Sequence, residues 1–259
     1  MITAVVGANW GDEGKGKITD ALAQEADYVV RFQGGSNAGH TIKNEYGKFA
    51  LHLMPSGIFN KNAVNILGSG VAVNVDKLIE EIHALEAAGV KHGKLLVSDR
   101  AHLVMSYHVL LDTYEEARLA GRSFGSTRSG MAPCYSDKYA KIGFQVGEVF
   151  ADREYLMPRI ENVCKIKNVL MEHLYHKPLL DPEEIYKELM GYKEALAPYV
   201  AYTSAELNKG LKEGKSVVLE GQLGALKDVE HGIYPMVTSS STLAGYGATG
   251  AGVPPYEIK

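Results

Sequence analysis

The chain reads as an α/β fold with a mostly parallel central sheet, crossover helices and glycine-rich phosphate-binding loops. Three observations predict it. A short β-branched run, Ile2 to Val6, leads through a glycine-rich turn at Gly11–Lys17 into a helical stretch, Ile18 to Gln24. A second short strand, Tyr28 to Phe32, follows at once and again ends on glycines, Gly34 and Gly35. Strand, glycine turn, helix and strand in that order imply parallel pairing through a crossover helix. The 259 residues, 46% of them hydrophobic, suffice for one large domain with a buried core. Residues 1–259 read as a single α/β unit, without repeat, charged linker or domain boundary.

Further along, Asp76 stands where a helix cap belongs. Leu78, Ile79, Ile82 and Leu85 then fall on one helical face, and Gly89 is placed to end the helix. Leu95 to Val97 is a strand candidate. Leu103 to Arg122 is predicted helical, with Tyr107, Leu110, Leu111 and Tyr114 on its apolar side. Asp181-Pro182-Glu183-Glu184 is a helix start: a capping acid, a first-turn proline and carboxylates facing the positive dipole end. Val217 to Leu219 is one more buried strand, and Gly221 to Pro255 is expected to be turn-rich.

Composition narrows the function. Lys+Arg total 27 against 31 Asp+Glu, a net charge of −4 that gives no basic footprint for nucleic acid. Any phosphate bound is therefore a small ligand held locally. No run approaches the ~18 apolar residues of a membrane span, and Met1 to Val6 enters a strand without a signal-peptide pattern. Cys134 and Cys164 lie too far apart to form a metal or redox motif; they read as reduced thiols of a cytoplasmic protein.

Gly11-Asp12-Glu13-Gly14-Lys15-Gly16-Lys17 is the most informative segment. Its glycines let backbone N–H groups surround phosphate oxygens, the following helix points its positive end at them, and Lys15 and Lys17 add charge. It fits the glycine and lysine part of the phosphate-loop NTPase pattern, but Ile18 replaces the Ser or Thr that would hold magnesium. Asp12, a carboxylate set among phosphate-binding amides, is positioned to supply the missing oxygen ligand. The second cluster, Gln33-Gly34-Gly35-Ser36-Asn37-Ala38-Gly39-His40-Thr41, lies just beyond the second strand. Ligand sites of parallel sheets form outside the carboxyl ends of strands, so the two turns are expected to meet over one pocket. His40 suits a general acid or a phosphate partner. His52, in the alternating run Leu51-His52-Leu53-Met54, reads as structural.

These two motifs resemble the double signature of the adenylosuccinate synthetase family. The likeness continues through Leu51–Gly57, Gly125-Ser126-Thr127-Arg128-Ser129-Gly130 with Pro133 and Tyr135, Glu220-Gly221, and Asp228 to Ser240. The resemblance implies a magnesium- and GTP-dependent ligase of purine biosynthesis that joins L-aspartate to IMP through a 6-phosphoryl intermediate. It implies a cytoplasmic homodimer. By this resemblance Asp12 removes the N1 proton of IMP and His40 supports the transferring phosphoryl group as an acid. Magnesium is held by Asp12 and the Gly39 carbonyl. GTP meets Gly11, Asp12, Glu13, Gly14, Lys15, Gly16, Lys17, Gly39, His40 and Thr41. IMP meets Asp12, Glu13, Gly14, Lys15, Asn37, Ala38, Gly39, His40, Thr127, Lys141, Gln222, Leu223 and Thr238.

The sequence departs from the family pattern in four places. The third motif reads Thr127-Arg128-Ser129-Gly130 where the family has threonine, glycine, arginine, glycine. Lys141 stands for an arginine that reaches the partner subunit's IMP phosphate, keeping charge but losing the bidentate fork. Leu223 stands for a glutamine, with Gln222 one place earlier. The chain also ends at Tyr256-Glu257-Ile258-Lys259, so the resemblance makes it the N-terminal portion of a longer enzyme, with the fold incomplete at its C-terminus. The parts expected beyond it are an arginine-rich loop for aspartate and an Asp-containing motif for guanine. The alternative is a catalytically incomplete nucleotide-binding fragment or dimerisation unit. A viral relative acting on dGMP is disfavoured by Asp12, whose position carries a small residue in that group.

Overall fold

The computed structural model describes residues 1–44, 46–121 and 125–258. In chain order the elements are β1 (Ile2–Gly7), α1 (Lys15–Ala23), β2 (Tyr28–Arg31), β3 (His40–Asn44), β4 (Gly47–Leu51), β5 (Val64–Leu67), β6 (Ala72–Val73), α2 (Val75–Ala87), β7 (Lys94–Ser98), β8 (His102–Leu103) and α3 (Ser106–Leu119). There follow α4 (Met131–Ala140), α5 (Arg153–Leu170), α6 (Pro182–Leu196), β9 (Val200–Ala201), α7 (Thr203–Lys212), β10 (Val217–Gly224) and α8 (Ala244–Ala251). Six strands make one sheet in the order β1-β10-β2-β5-β7-β9, and every pairing in it is parallel. The pairs β3–β4 (antiparallel) and β6–β8 stand apart from it.

The sheet is covered on both faces, which is why its strands are mostly apolar rather than alternating. Val217, Leu219, Tyr28, Val30, Ile66 and Leu96 pack towards Leu207 of α7 and Ala248 and Ala251 of α8. On the other face Val29 and Val218 meet Ala23 of α1, while Leu67, Leu95 and Val97 join a large core with α2, α5 and α6. Arg31 and Glu220 are register partners on neighbouring strands, on the same face as Val29 and Val218. Both charged side chains are thereby carried into the sheet–α1 interface.

Local details differ from expectation for identifiable reasons. Helix α1 begins at Lys15, not Ile18, because Gly14 adopts the left-handed conformation and ends the turn early. The cap of α2 is Asn74, whose side chain accepts from the Lys77 N–H; Asp76 sits in the first turn, where its charge meets the helix dipole. Helix α3 starts at Ser106 since Leu103 is taken by β8, and Leu110 is 39% exposed rather than core; the expected end at Arg122 lies outside the described residues. Within the expected turn-rich stretch, Ala244–Ala251 is helical. That helix lies so close to β2 that a Cβ on Gly250 would meet the Phe32 carbonyl at 2.0 Å, so close packing outweighs poor propensity. Asp181 does cap α6, accepting from Glu183 and Glu184 N–H groups at 2.7 and 3.3 Å.

Candidate nucleotide site

The β1–α1 loop is held by its own residues. Lys15, 4% exposed, turns back to donate from Nζ to the Gly11 carbonyl at 2.8 Å, and burial lowers its pKa. The exposed Glu13 closes the loop from outside, accepting the Asn9 N–H at 2.5 Å. Gly11 is left-handed at φ 109, and a Cβ there would lie 2.3 Å from Leu223 Cα, so the loop rests on the end of β10. Gly14, Lys17 and Asp12 face solvent. Asp12 is not buried among the loop amides: its carboxylate is exposed, and among the described residues it makes no hydrogen bond. No contact among the described residues needs a carboxylate there.

The second turn meets the first. His40 is buried against α1, where a Cβ on Gly16 would come within 2.8 Å of the histidine Cβ. Its Nδ1–H donates to Glu220 Oε1 at 2.6 Å, while Nε2 is buried without a partner among the described residues. Glu220, fully buried, also accepts from the Ser56 hydroxyl and, at 2.8 Å, from the Ser56 N–H. Burial pushes the Glu220 carboxyl up, but His40, Arg31 and the Ser56 hydroxyl outweigh it and hold the group below the usual range. Behind this cluster, Arg31 is 1% exposed with Nε and Nη1 unpartnered.

Gln222 holds the turn itself. Its Oε1 accepts the Gly35 N–H at 2.9 Å, and Nε2 donates to the Gly35 and Ala38 carbonyls at 2.7 and 2.9 Å. Gln33 adds two further bonds to the Gln222 backbone. With its amide committed in this way, Gln222 clamps the turn and does not line the cavity described next.

A cavity of about 780 Å³ opens beside this assembly, with Asn37, Thr127, Leu223 and Thr238 in its wall. Four of the expected IMP residues, from four separate segments, are therefore brought together. Asn37 presents a buried Oδ1 with no partner. Leu223 holds φ 61, a strained conformation for a non-glycine residue. Two acids place the loops, and sequence reasoning assigned neither of them a role. Asp112 accepts the Ser126 hydroxyl and the Gly130 N–H at 2.6 and 2.9 Å; Asp228 accepts the Glu230, His231 and Thr242 N–H groups. Asp228 carries a turn signal, since its side chain bonds the N–H groups two and three residues on, whereas Asp112, inside α3, carries none.

Other expected residues stand apart from this cavity. Asp12, Glu13, Gly14, Lys15, Ala38, Gly39 and His40 are not in its wall, and Lys141 is exposed at the end of α4 with φ 63. Thr41 is exposed on β3, and His52 is half-exposed with its N–H bound at 2.5 Å by Glu81, whose carboxylate also anchors Leu53 and Met54. No set of three His, Cys, Asp or Glu side chains gathers as a metal site among the described residues. The Asp12 carboxylate and the exposed Gly39 are hard oxygen donors, few in number, which fits an ion that keeps water and phosphate in its shell, as magnesium does.

Comparison with known proteins follows the same residues. The family model for adenylosuccinate synthetase matches residues 4–259. Adenylosuccinate synthetases of Dehalococcoides mccartyi and Heliobacterium modesticaldum are 44% and 45% identical over 257 and 254 residues, 99% and 98% of this chain. The chain spans about 60% of the length of these curated relatives. The structure of fully ligated adenylosuccinate synthetase from Plasmodium falciparum superposes with a TM-score of 0.85 at 34% identity, covering 99% of this chain and 59% of that one. A cyanophage S-2L succinoaminodeoxyadenylate synthetase bound to dGMP and dATP shares the fold, with a TM-score of 0.65 at 23% identity over 98% of this chain and 60% of its own. With the two glycine-rich turns packed together and the family model matched almost from end to end, the chain belongs to the adenylosuccinate synthetase family.

Proposed function

We propose that the protein acts in the GTP-dependent ligation of L-aspartate to IMP, giving adenylosuccinate, GDP and phosphate. The observation that carries this reading is the convergence of the β1–α1 loop and the 33–41 turn at Gly16 and His40, beside a cavity walled by Asn37, Thr127 and Thr238. IMP occupies that cavity, and GTP phosphates lie along Gly11–Lys17. Asp12 takes the N1 proton of IMP; O6 then attacks the γ-phosphorus, and the bond to the β–γ bridging oxygen breaks to release GDP. His40 supports the phosphoryl oxygens. The amino group of aspartate next attacks C6, phosphate leaves with O6, and the amine gives up its proton. Asp12 and the Gly39 carbonyl hold Mg²⁺, which offsets the charge of the phosphates when bound. Lys141, exposed at the end of α4, faces a partner subunit in a homodimer.

A second reading is a nucleotide-binding unit short of full turnover, favoured by the 60% span of the relatives. Adenylosuccinate formation separates the two. The 259-residue chain and the intact protein are each assayed with GTP, IMP and aspartate. The ligase reading expects product from the intact protein that needs all three substrates. IMP and GTP binding without product from either supports the second reading.

A further inference from the structure

Glu220 is a buried carboxylate in a mostly apolar sheet, and three groups converge on it. His40 Nδ1–H reaches Oε1 at 2.6 Å; the Ser56 hydroxyl reaches the same oxygen, and the Ser56 N–H holds Oε2 at 2.8 Å. The carboxylate is 0% exposed, and Arg31, its register partner on β2, is the buried cation beside it. An ionised carboxylate held from both oxygens cannot rotate away from the imidazole. The bond it receives specifies which ring nitrogen carries hydrogen. The other nitrogen, Nε2, is buried and has no partner among the described residues. Buried polar atoms are seldom left so without a reason, and this ring lies against the first turn of α1, beneath the loop.

We propose that Glu220 is a positioning residue: it accepts the Nδ1 hydrogen of His40 and fixes the ring, so that Nε2 alone is turned to the phosphoryl oxygens between the two glycine-rich turns and can donate a hydrogen of its own to them. This rests on the phosphoryl-transfer reading above. Ser56 fixes Glu220 in turn, so the relay runs from the turn after β4, through the end of β10, to the histidine. Its parts come from distant stretches of chain and form only when β10 inserts between β1 and β2.

The test has two arms. In the first, the 259-residue chain is labelled with ¹⁵N-histidine, and the His40 ring is assigned by the signals lost in His40→Asn. A hydrogen-bonded proton on Nδ1, lost or shifted in Glu220→Gln, is expected; an Nδ1 without a proton in the wild type overturns the proposal. This arm needs no turnover, so it stands or falls apart from the ligase reading. In the second arm, steady-state kinetics of the intact protein should show kcat lowered about 10- to 100-fold in Glu220→Gln, with KM for GTP and IMP within about threefold. Unchanged kcat, or a loss confined to KM, overturns the positioning role. Should Glu220→Gln not fold, the wild-type Nδ1 proton decides alone. Turnover absent from every protein, with that proton present, would instead remove the ligase reading and leave the dyad.

Discussion

Asp12→Asn in the intact protein is expected to lower IMP-dependent phosphate release about 10³-fold or more, and to leave folding stability unchanged within about 0.5 kcal/mol. The second half of that expectation comes from the geometry. The carboxylate is exposed and has no hydrogen-bond partner among the described residues, so removing its charge breaks no contact that the fold uses. Its charge also lies beside Lys15, which already bonds the Gly11 carbonyl and does not depend on Asp12 for its place. The first half comes from the proposed chemistry. Asparagine cannot accept the N1 proton, and an amide oxygen is a poorer magnesium ligand than a carboxylate. Urea titrations beside kcat measurements check both halves; near-normal turnover would remove the base role.

His40→Asn is expected to behave differently. Phosphate release should fall about 10²- to 10³-fold, since a group that stabilises charge in the transition state is lost. Here stability should fall too, by about 1–3 kcal/mol, because Glu220 loses a partner inside the fold. Rates must therefore be normalised to folded protein, measured by circular dichroism at the assay temperature. Full kcat per folded molecule would make His40 a structural residue. The contrast between the two variants, one catalytic without structural cost and one with both, follows from the exposed position of Asp12 and the buried position of His40.

What the sequence disclosed follows from how local each feature is. The β1–loop–α1–β2 unit was legible because glycine spacing and apolar runs are short-range signals, and Asp181 because a cap bonds residues two and three positions on. Strand order was not. Residues 217–224 pair between β1 and β2, with Glu220 opposite Arg31, which is far from it in sequence. For the same reason the role of Glu220 at His40 was invisible. Helix α5 contains Pro158, which reads as a breaker, yet its Leu156, Ile160, Val163 and Cys164 face is buried and holds the helix through the proline. Gln222 stands one place before the position of the family's glutamine, and its side chain is turned inward to the backbone of Gly35 and Ala38, leaving Leu223 at the cavity. A one-residue shift along a strand reverses the face a side chain occupies, and composition cannot report it.

In the proposed mechanism the two glycine-rich turns bring the γ-phosphate of GTP to O6 of IMP before aspartate takes part. Positional isotope exchange tests it most directly. GTP carrying ¹⁸O in the β–γ bridge is incubated with the intact protein, Mg²⁺ and IMP, without aspartate, and ³¹P spectra follow the label. Reversible transfer to IMP predicts movement of ¹⁸O into the β non-bridging positions, dependent on IMP and abolished in Asp12→Asn. Label that stays in the bridge while both nucleotides are bound, or that scrambles equally without IMP, would contradict the account.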